Sequence, residues 1–565
     1  MEIRIAVIAG YFMVVLLIGF FAKTRWRSSP EEYFLAGRGL RGFVLLGTMA
    51  ATNFSAFTVF GASGAGYRDG YAFFPIVGFG TGFMALTFWI IGKRAWEIGK
   101  ERGAVTPAEL VGSLYGNPLL SFLFAMVMIV FTIPYIALQP MAGGYVLKEL
   151  FDIPQGLGAT LITLIIVLYV FRGGLRAVAW TDVFQGLLMV ALMITALIMV
   201  SAQYGGFELA HSLVRKADPA LMSRPGPQGR FTPSMWFSFM MLWFFCDPMF
   251  PQLFQRFFSA RDPRAIRRTM LSYPLVCTLV FFLPVTLGVL GHISFPDLVG
   301  KEADRVLPMM LRSLCGDFMG TLIMSAGLAA LMSTMDSQLL TLSSIFSRDV
   351  FPLVTGRKAG DSSLPGKVFV PVLAALGLIF AVNPPSTILH IATQAFTGLA
   401  VLFPTVFFGL YLKRPRAAAA ILSILAGESM VVLSYLKLLP SGGFLPAVPI
   451  IGVTFLVYLV VTLLLSLDLR GWIAISRRSL VFGAMFALLF GLAVDWWEWT
   501  ASRPSLGGFP YWMGYFIILS ILQTFLMNWW LKGAKIDAPN PEKIRKRVSG
   551  PGRAISGRGL EGSPG

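Results

Sequence analysis

The feature of this 565-residue chain that most constrains its fold is a series of apolar runs that continues from one end of the sequence to the other. A run of about 20 apolar residues is long enough for one helix to cross the hydrocarbon core of a bilayer. Hydrophobic residues make up 56% of the chain and charged residues only 13%, which excludes a soluble globular protein. We therefore predict an all-α polytopic membrane protein with fifteen spans, at 3–22, 42–66, 71–92, 117–147, 155–171, 179–202, 233–252, 270–292, 318–346, 367–383, 386–412, 417–436, 445–467, 479–495 and 508–531.

The basic residues are distributed unevenly between the two sides of the predicted membrane. If the first residues lie outside, the connections that follow the odd-numbered spans, together with the tail, hold 34 of the 46 Lys and Arg residues. This asymmetry is the positive-inside pattern, and it explains the net charge of +18 without nucleic acid. We expect a multi-pass plasma-membrane protein with its N-terminus outside and its C-terminus in the cytoplasm.

Two of the predicted spans are interrupted by polar residues or proline. Span 42–66 contains LGTMAATNFSAFTVFGASGAG, and span 233–252 contains WFFCDPMFPQ, which includes Asp247. Interrupted helices at corresponding positions of two halves indicate the binding site of an inverted-repeat transporter. A simpler alternative is that Pro251 ends its helix near the membrane surface and that Asn53 bonds a neighbouring helix.

Segment 325–351 carries hydroxyls and a carboxylate inside an otherwise apolar helix. Ala330, Ser333 and Thr334 are spaced i, i+3 and i+4, so one carbonyl and two hydroxyl oxygens face the same point. Such a cluster suits a hard cation such as sodium, because the oxygens replace its hydration shell. The alternative is a helix-packing seam of small residues.

Four sequence motifs together resemble the sodium/solute symporter family. They are EYFLAGR at 32–38, AATNFSAF in the first interrupted span, RGGLRAVAWTDVFQ at 172–185, and LAALMSTMDSQLLTLSSIFSRD at 328–349. The resemblance covers approximately residues 1–440. It implies a LeuT-type core built as a 5+5 inverted repeat, with one extra helix before it and about four after it.

The resemblance divides the chain into six parts. These are an N-terminal extra helix and cytoplasmic loop (1–41), the first inverted repeat (42–202), an extracellular loop (203–232), the second inverted repeat (233–412), accessory transmembrane helices (413–531) and a disordered basic cytoplasmic tail (532–565).

A sodium site is the most specific functional feature that the resemblance implies. It would use the backbone carbonyls of Ala51, Phe54 and Ala330 and the hydroxyls of Ser333 and Thr334. Three of these five residues are those selected by spacing alone. Sodium is the only metal and the only coupling ion that we predict.

Asp182 matches an acidic residue that lies on the sodium exit path in members of this family. Some relatives hold a second sodium beside it, for which Ser333, Asp336 and Ser337 would be the partners here. Because Asp336 is a carboxylate where certain relatives have a hydroxyl, an additional sodium, a proton and a structural contact all stay open.

The substrate site is less clearly indicated. Gln394 resembles a sugar-contacting glutamine, but the apolar run AFFPI at 72–76 replaces the acidic residue of the sugar-transporting members. The proline-transporting branch usually has a carboxylate where this chain has Asn53, so proline is not supported either. The predicted cavity lining is Asn53, Thr58, Phe74, Phe245, Asp247 and Gln394.

The predicted function is sodium-coupled symport of a small organic solute, with a carboxylate or an amino acid favoured, by a protein that works as a monomer in the lipid bilayer. Alternatives are a sugar or polyol symporter, a proton-coupled transporter, and a sensor or channel. An integral-membrane enzyme is disfavoured, because His211, His292 and His390 lie far apart in the sequence without catalytic partners.

Overall fold

A computed structural model describes residues 1–21, 29–356, 364–440, 442–465 and 476–532. All regular elements in these ranges are helical. The predicted tail, 532–565, lies outside the described residues from 533 onward. The α-helices are α1 (Glu2–Phe21), α2 (Pro30–Leu35), α3 (Gly42–Asn53), α4 (Ala62–Asp69), α5 (Phe74–Met84), α6 (Arg94–Arg102), α7 (Pro107–Tyr115), α8 (Pro118–Phe151), α9 (Gln155–Gln203), α10 (Phe207–Ala217), α11 (Pro233–Cys246), α12 (Pro251–Ser259), α13 (Pro263–Ser294), α14 (Val306–Leu314), α15 (Asp317–Ile345), α16 (Phe351–Thr355), α17 (Leu364–Val382), α18 (Ile388–Ala400), α19 (Phe403–Tyr411), α20 (Ala417–Tyr435), α21 (Ala447–Leu465), α22 (Arg477–Leu492) and α23 (Tyr511–Leu531).

The helices confirm the prediction of a polytopic membrane protein. In the described part of the chain, 11 helical segments are long and apolar enough to cross a membrane. Ten of them each match one predicted span, and the eleventh, Phe57–Arg102, contains the span 71–92 and the end of the span 42–66. The other four predicted spans correspond to shorter or interrupted helices. They are the α3/α4 pair, the first part of α9, the α11/α12 pair and α22.

Two predicted spans, 155–171 and 179–202, are joined in α9. The helix is 49 residues long and kinks at Gly174, which has φ 61° and ψ 179°. Glycine adopts this backbone conformation readily because it has no Cβ. The non-helical backbone at Gly174 divides α9 into two helical segments, one for each of the two predicted spans.

The α11/α12 pair differs from the prediction in where it ends. We predicted a span at 233–252 followed by a loop, but α12 continues to Ser259 and all nine of its residues are buried. Arg256, which the charge count places in a cytoplasmic connection, therefore lies inside the protein. The run LFQRFF is amphipathic at helical spacing, and its polar face meets α3 and α15 instead of water.

Helix α15 lies at the centre of the structure. It packs against α9, α8 and α3, and most of its residues from Gly320 onward are buried. Helix α13 crosses α4 at close range, because Gly288 leaves space for the Ser63 carbonyl where a Cβ would lie only 1.9 Å from it. The α3/α4 pair thus packs against α13 and α3 also against α15, and α12 of the second interrupted helix packs against α15.

The four C-terminal helices, α20–α23, lie outside this core. Gln523 on α23 donates to the Gly82 carbonyl at 2.7 Å. Arg224, in the loop before α11, pairs with Asp495, and its guanidinium lies 4.4 Å from the ring centroid of Trp512. Buried polar contacts therefore attach the accessory helices to the core.

Candidate functional site

The break between α3 and α4 releases two backbone carbonyls. In a continuous helix the N–H groups of Ser55 and Ala56 would bond the carbonyls of Ala51 and Thr52. Instead, the Ser55 N–H bonds the carbonyl two residues before it at 3.1 Å, and the Ala56 N–H donates to Gln139 Oε1 at 3.1 Å. The N–H groups of Ser55 and Ala56 thus bond a tight-turn carbonyl and a side chain. The carbonyls of Ala51 and Thr52 are left free to accept hydrogen bonds from other groups.

Those other partners are hydroxyl groups of α15. Ser333 Oγ donates to the Ala51 carbonyl at 2.9 Å, and Thr334 Oγ1 donates to the Thr52 carbonyl at 3.0 Å. Both hydroxyls also lie close to the Ala330 carbonyl, at 3.0 and 3.3 Å. All five residues are buried. Neutral carbonyl and hydroxyl oxygens are the ligands that hard alkali cations take in place of water, so this donor set fits sodium.

Four of the five predicted sodium ligands meet at this junction, and the fifth residue, Phe54, is next to them in the chain. It follows α3 with φ −84° and ψ 83°, and its ring stacks on Tyr273 at a centroid distance of 6.2 Å. The carbonyl that Thr334 contacts belongs to Thr52, which the sequence motif did not single out.

A charged cluster lies one helical turn further along α15. Asp182 Oδ2 accepts hydrogen bonds from Arg256 Nη2 at 3.0 Å and from Thr48 Oγ1 at 2.5 Å. The same guanidinium donates to Ser337 Oγ at 2.6 Å and to the Gln252 carbonyl at 2.9 Å. The side chains of Asp182 and Arg256 are both 0% exposed, so this ion pair is fully buried.

Two of the three residues predicted for a second ion site or sodium exit, Asp182 and Ser337, belong to this cluster. The third, Asp336, is buried at the preceding position of α15. The cluster already contains a cation, the guanidinium of Arg256, which sequence reasoning missed. An arginine inside the apolar, aromatic run LFQRFF was the available signal.

A small cavity lies between the two helix breaks. Asn53, at the end of α3, and Asp247, just after α11, both line it, although 194 residues separate them in sequence. The second break follows from two prolines, which cannot donate the backbone hydrogen bonds that a helix needs there. The other lining residues are Phe57, Thr81, Tyr135, Trp243, Phe250, Phe281 and Phe396.

The other four predicted substrate residues do not line this cavity. Thr58 lines a separate small apolar pocket. Phe74 packs edge-on against Phe282, and Phe245 packs against Phe403. Gln394 lies on α18, where its amide nitrogen is 3.2 Å from His390 Nε2. Helical phase separates these side chains from the cavity. Six aromatic rings that do line it were not predicted as a group.

Two interrupted helices, a cluster of carbonyl and hydroxyl oxygens at one break and a cavity between both breaks are features of the core of a secondary transporter. The family model described as "Sodium:solute symporter family" matches residues 33–427. The chain therefore belongs to the sodium:solute symporter family. It is a sodium-coupled transporter of a small solute and not an enzyme.

Named relatives agree with this family. The chain is 28% identical over 406 residues to the sodium/pantothenate symporter of Haemophilus influenzae, an alignment that covers 71% of this chain and 84% of that protein. It is 26% identical over 440 residues to a sodium/proline symporter of Staphylococcus aureus, covering 75% and 84%.

A solved structure confirms the fold. The substrate-bound, outward-open structure of a Na⁺-coupled sialic acid symporter superposes with a TM-score of 0.70. The match covers 82% of this chain and 98% of that one, at 18% sequence identity. The architecture is thus the LeuT-type inverted repeat, with one extra helix before the core and four after it.

Proposed function

We propose that this protein couples the entry of Na⁺ across the plasma membrane to uptake of a small organic solute, a carboxylate or an amino acid, by alternating access. The junction of released carbonyls and α15 hydroxyls beside the cavity is the observation that carries the proposal. Asn53 and Asp247 are the polar groups at the two breaks that would contact the solute. Relatives named for pantothenate and proline support this choice of substrate class.

Sodium would bind where α3 meets α15. Ser333 and Thr334 now donate their protons to α3 carbonyls, and the same hydroxyl oxygens would turn their lone pairs toward the ion. The carbonyls of Ala51, Phe54 and Ala330 would complete the set. Because the C-terminal end of α3 carries a partial negative charge, the helix dipole also favours a cation there. Bound sodium would thus hold α3 against α15.

The Asp182–Arg256 pair would close the path on the cytoplasmic side. It links α9 to α12, which belong to different halves of the core, so the two halves cannot separate there while the pair is intact. We propose that the pair opens in the inward-facing state. Asp182, together with Ser337 and Asp336, would then receive the departing sodium.

One sodium per cycle is sufficient to drive accumulation. A charge that moves down a potential of 100 mV contributes about 2.3 kcal/mol. A tenfold concentration gradient adds about 1.4 kcal/mol. Together they sustain roughly a few-hundredfold solute gradient. The ion drives transport only through its different affinities for the two states.

Uptake by proteoliposomes tests the function directly. Purified protein is reconstituted, an inward sodium gradient is imposed, and a panel of radiolabelled carboxylates and amino acids is offered. We expect saturable uptake of at least one solute that disappears when potassium replaces sodium outside. Solute uptake that is independent of the sodium gradient, or sodium uptake that is independent of every solute, would contradict symport.

The proposed orientation places the N-terminus outside and the tail in the cytoplasm, with the monomer as the working unit. In a cysteine-free parent, a single cysteine at Gln203 should react with an impermeant thiol reagent on intact cells. A cysteine at Ile544 should react only after permeabilisation. Labelling of both positions from outside would reverse the orientation of the tail.

A further inference from the structure

Asp247 is a buried carboxylate in the wall of the central cavity. Asp247 is only 4% exposed. Its Oδ1 atom accepts a hydrogen bond from Cys246 Sγ at 3.4 Å. A thiol is a weak donor. Within the described ranges, no Lys, Arg or His side chain lies within ion-pair distance of this carboxylate.

Two other buried carboxylates of the core offer a contrast. Asp182 is paired with Arg256, and Asp304 is paired with Arg68 at 2.9 Å. An ionised carboxylate at membrane depth is costly unless a cation or several donors satisfy it. Asp247 differs from these two residues because its carboxylate faces a cavity, whereas each of theirs is paired with an arginine.

Aromatic rings form most of the remaining cavity wall. The face of an aromatic ring attracts an organic cation, and the attraction grows when water is excluded. The six rings are those of one tryptophan, one tyrosine and four phenylalanines: Trp243, Tyr135, Phe57, Phe250, Phe281 and Phe396. No Lys or Arg is among the nine residues that line the cavity.

The cavity also lacks the usual site for an anion at the first helix break. Backbone N–H groups at the start of a half-helix often bind a substrate carboxylate. Here the Ala56 N–H is taken by Gln139 Oε1 and the Phe57 N–H by Ser55 Oγ, each at 3.1 Å. A simple carboxylate ion would meet Asp247 with no basic side chain on the wall to offset the repulsion.

We propose that the transported solute carries a positively charged nitrogen, which binds between the Asp247 carboxylate and the aromatic rings of the cavity. The substrate is thus an amino-acid zwitterion or a small amine, and not a simple carboxylate. The small size of the cavity limits the solute to a small molecule. This inference rests on the proposed symport function and narrows its substrate class.

Matched pairs of solutes that differ in the charge on nitrogen provide the test. Proline is compared with tetrahydrofuran-2-carboxylate, in which oxygen replaces the ring nitrogen. Choline is compared with its neutral carbon isostere, 3,3-dimethylbutan-1-ol. The panel is completed by glycine, glycine betaine, pantothenate and acetate. Thermal stabilisation of the purified full-length protein is recorded with each solute, in sodium and in potassium. We expect sodium-dependent stabilisation by at least one compound with a charged nitrogen and none by its neutral partner or by the simple carboxylates.

Asp247→Asn, Asp247→Glu and the control Glu428→Gln are then measured with the compound that binds. Glu428 is a membrane-embedded carboxyl on α20 that does not line the cavity. Removing one partner of a buried charge pair lowers affinity at least about thirtyfold. We expect this loss in Asp247→Asn, partial retention in Asp247→Glu, which keeps the charge if the asparagine variant fails to fold, and parental affinity in Glu428→Gln.

Three other outcomes would overturn the inference. Sodium-dependent binding of pantothenate or acetate, but of no compound with a charged nitrogen, would do so while leaving symport intact. A parental affinity in Asp247→Asn would remove Asp247 from the site. If sodium without any solute no longer stabilises Asp247→Asn, Asp247 binds the coupling ion and not the solute. If proteoliposomes show no sodium-dependent uptake of any solute, the proposed function itself fails.

Discussion

Helix α15 meets α3 at two levels that differ in charge. At the first level, the Ser333 and Thr334 hydroxyls contact backbone carbonyls, and every group is neutral. One turn further along, Ser337 contacts Thr52 Oγ1 at 3.0 Å and the guanidinium of the Asp182–Arg256 pair.

The difference shows how one helix seam can serve two purposes. Neutral oxygens release or accept a cation by small rotations of hydroxyl groups, so the first level suits reversible ion binding. The second level holds a guanidinium, which stays protonated and is covalently tethered. Separating that pair without water would leave two charges unsatisfied, so it opens only when a hydrated path forms. The proposed sodium site and the proposed closing pair are thus adjacent but chemically distinct.

The largest effect is expected from Arg256→Gln. The variant leaves the Asp182 carboxylate buried without its cation, and removing one partner of a buried ion pair costs about 3–5 kcal/mol. We expect a strong fall in the melting temperature of the purified protein and loss of uptake. Arg261→Gln is the matched control, because Arg261 is exposed just beyond α12. Equal melting temperatures for Arg256→Gln and the parent would show that the ion pair does not stabilise the fold.

A second variant separates charge from packing at the same position. Arg256→Gln combined with Asp182→Asn removes both charges, so part of the lost stability should return. Asp182→Asn alone should be milder than Arg256→Gln. Its amide oxygen still accepts from Thr48, and the guanidinium keeps Ser337 and the Gln252 carbonyl. A double variant no more stable than Arg256→Gln would argue against charge as the cause.

Ser333→Ala tests the neutral level. A lost ligand that leaves the cation partly uncoordinated should cost about 1–3 kcal/mol, by analogy with an unsatisfied buried polar group. The sodium concentration for half-maximal uptake should therefore rise about five- to a hundredfold. Ser325→Ala is the control, since its hydroxyl bonds only the Leu322 carbonyl of its own helix. Equal shifts in both variants would mean that the hydroxyls serve helix packing.

The all-helical membrane architecture, the two helix breaks and the junction of α3 with Ser333 and Thr334 were predictable from the sequence. Hydrophobic length determines where helices can cross a membrane. The i, i+3, i+4 spacing places Ala330, Ser333 and Thr334 on one face, whatever the helix packs against. Asn53 and Asp247 were found because a polar residue in an apolar run is conspicuous.

What the sequence did not reveal depends on contacts between distant helices. Arg256 follows a proline-interrupted segment and carries a charge, so charge counting assigns it to a loop, whereas its helix is buried on every side. The aromatic lining was missed for a related reason. The chain has 49 Phe residues, and only the packing of several helices decides that Phe57, Phe250 and Phe396 share a cavity.

Gln255→Met probes a neutral link between α12 and α15, beside the charged pair. Gln255 accepts from Thr341 Oγ1 at 2.7 Å and donates to Ser344 Oγ at 2.8 Å. Methionine has a similar length but makes neither bond, so thermal stability should fall by about 1–2 kcal/mol, less than for Arg256→Gln. Ser343→Ala is the control, because its hydroxyl bonds only the Leu340 carbonyl of its own helix. A loss as large as that of Arg256→Gln would erase the distinction between charged and neutral links.

The smallest effect is expected from Thr334→Ser. Serine keeps the hydroxyl that contacts the Thr52 carbonyl and removes only a methyl group. A buried methyl contributes about 0.8 kcal/mol, so half-saturating sodium should change by no more than about fourfold. Thr334→Val, which keeps the shape and removes the oxygen, should instead match the shift of Ser333→Ala. If Thr334→Ser and Thr334→Val raise half-saturating sodium equally, the effect comes from the lost methyl contact and not from the hydroxyl oxygen. The neutral level would then be a packing contact and not an ion site.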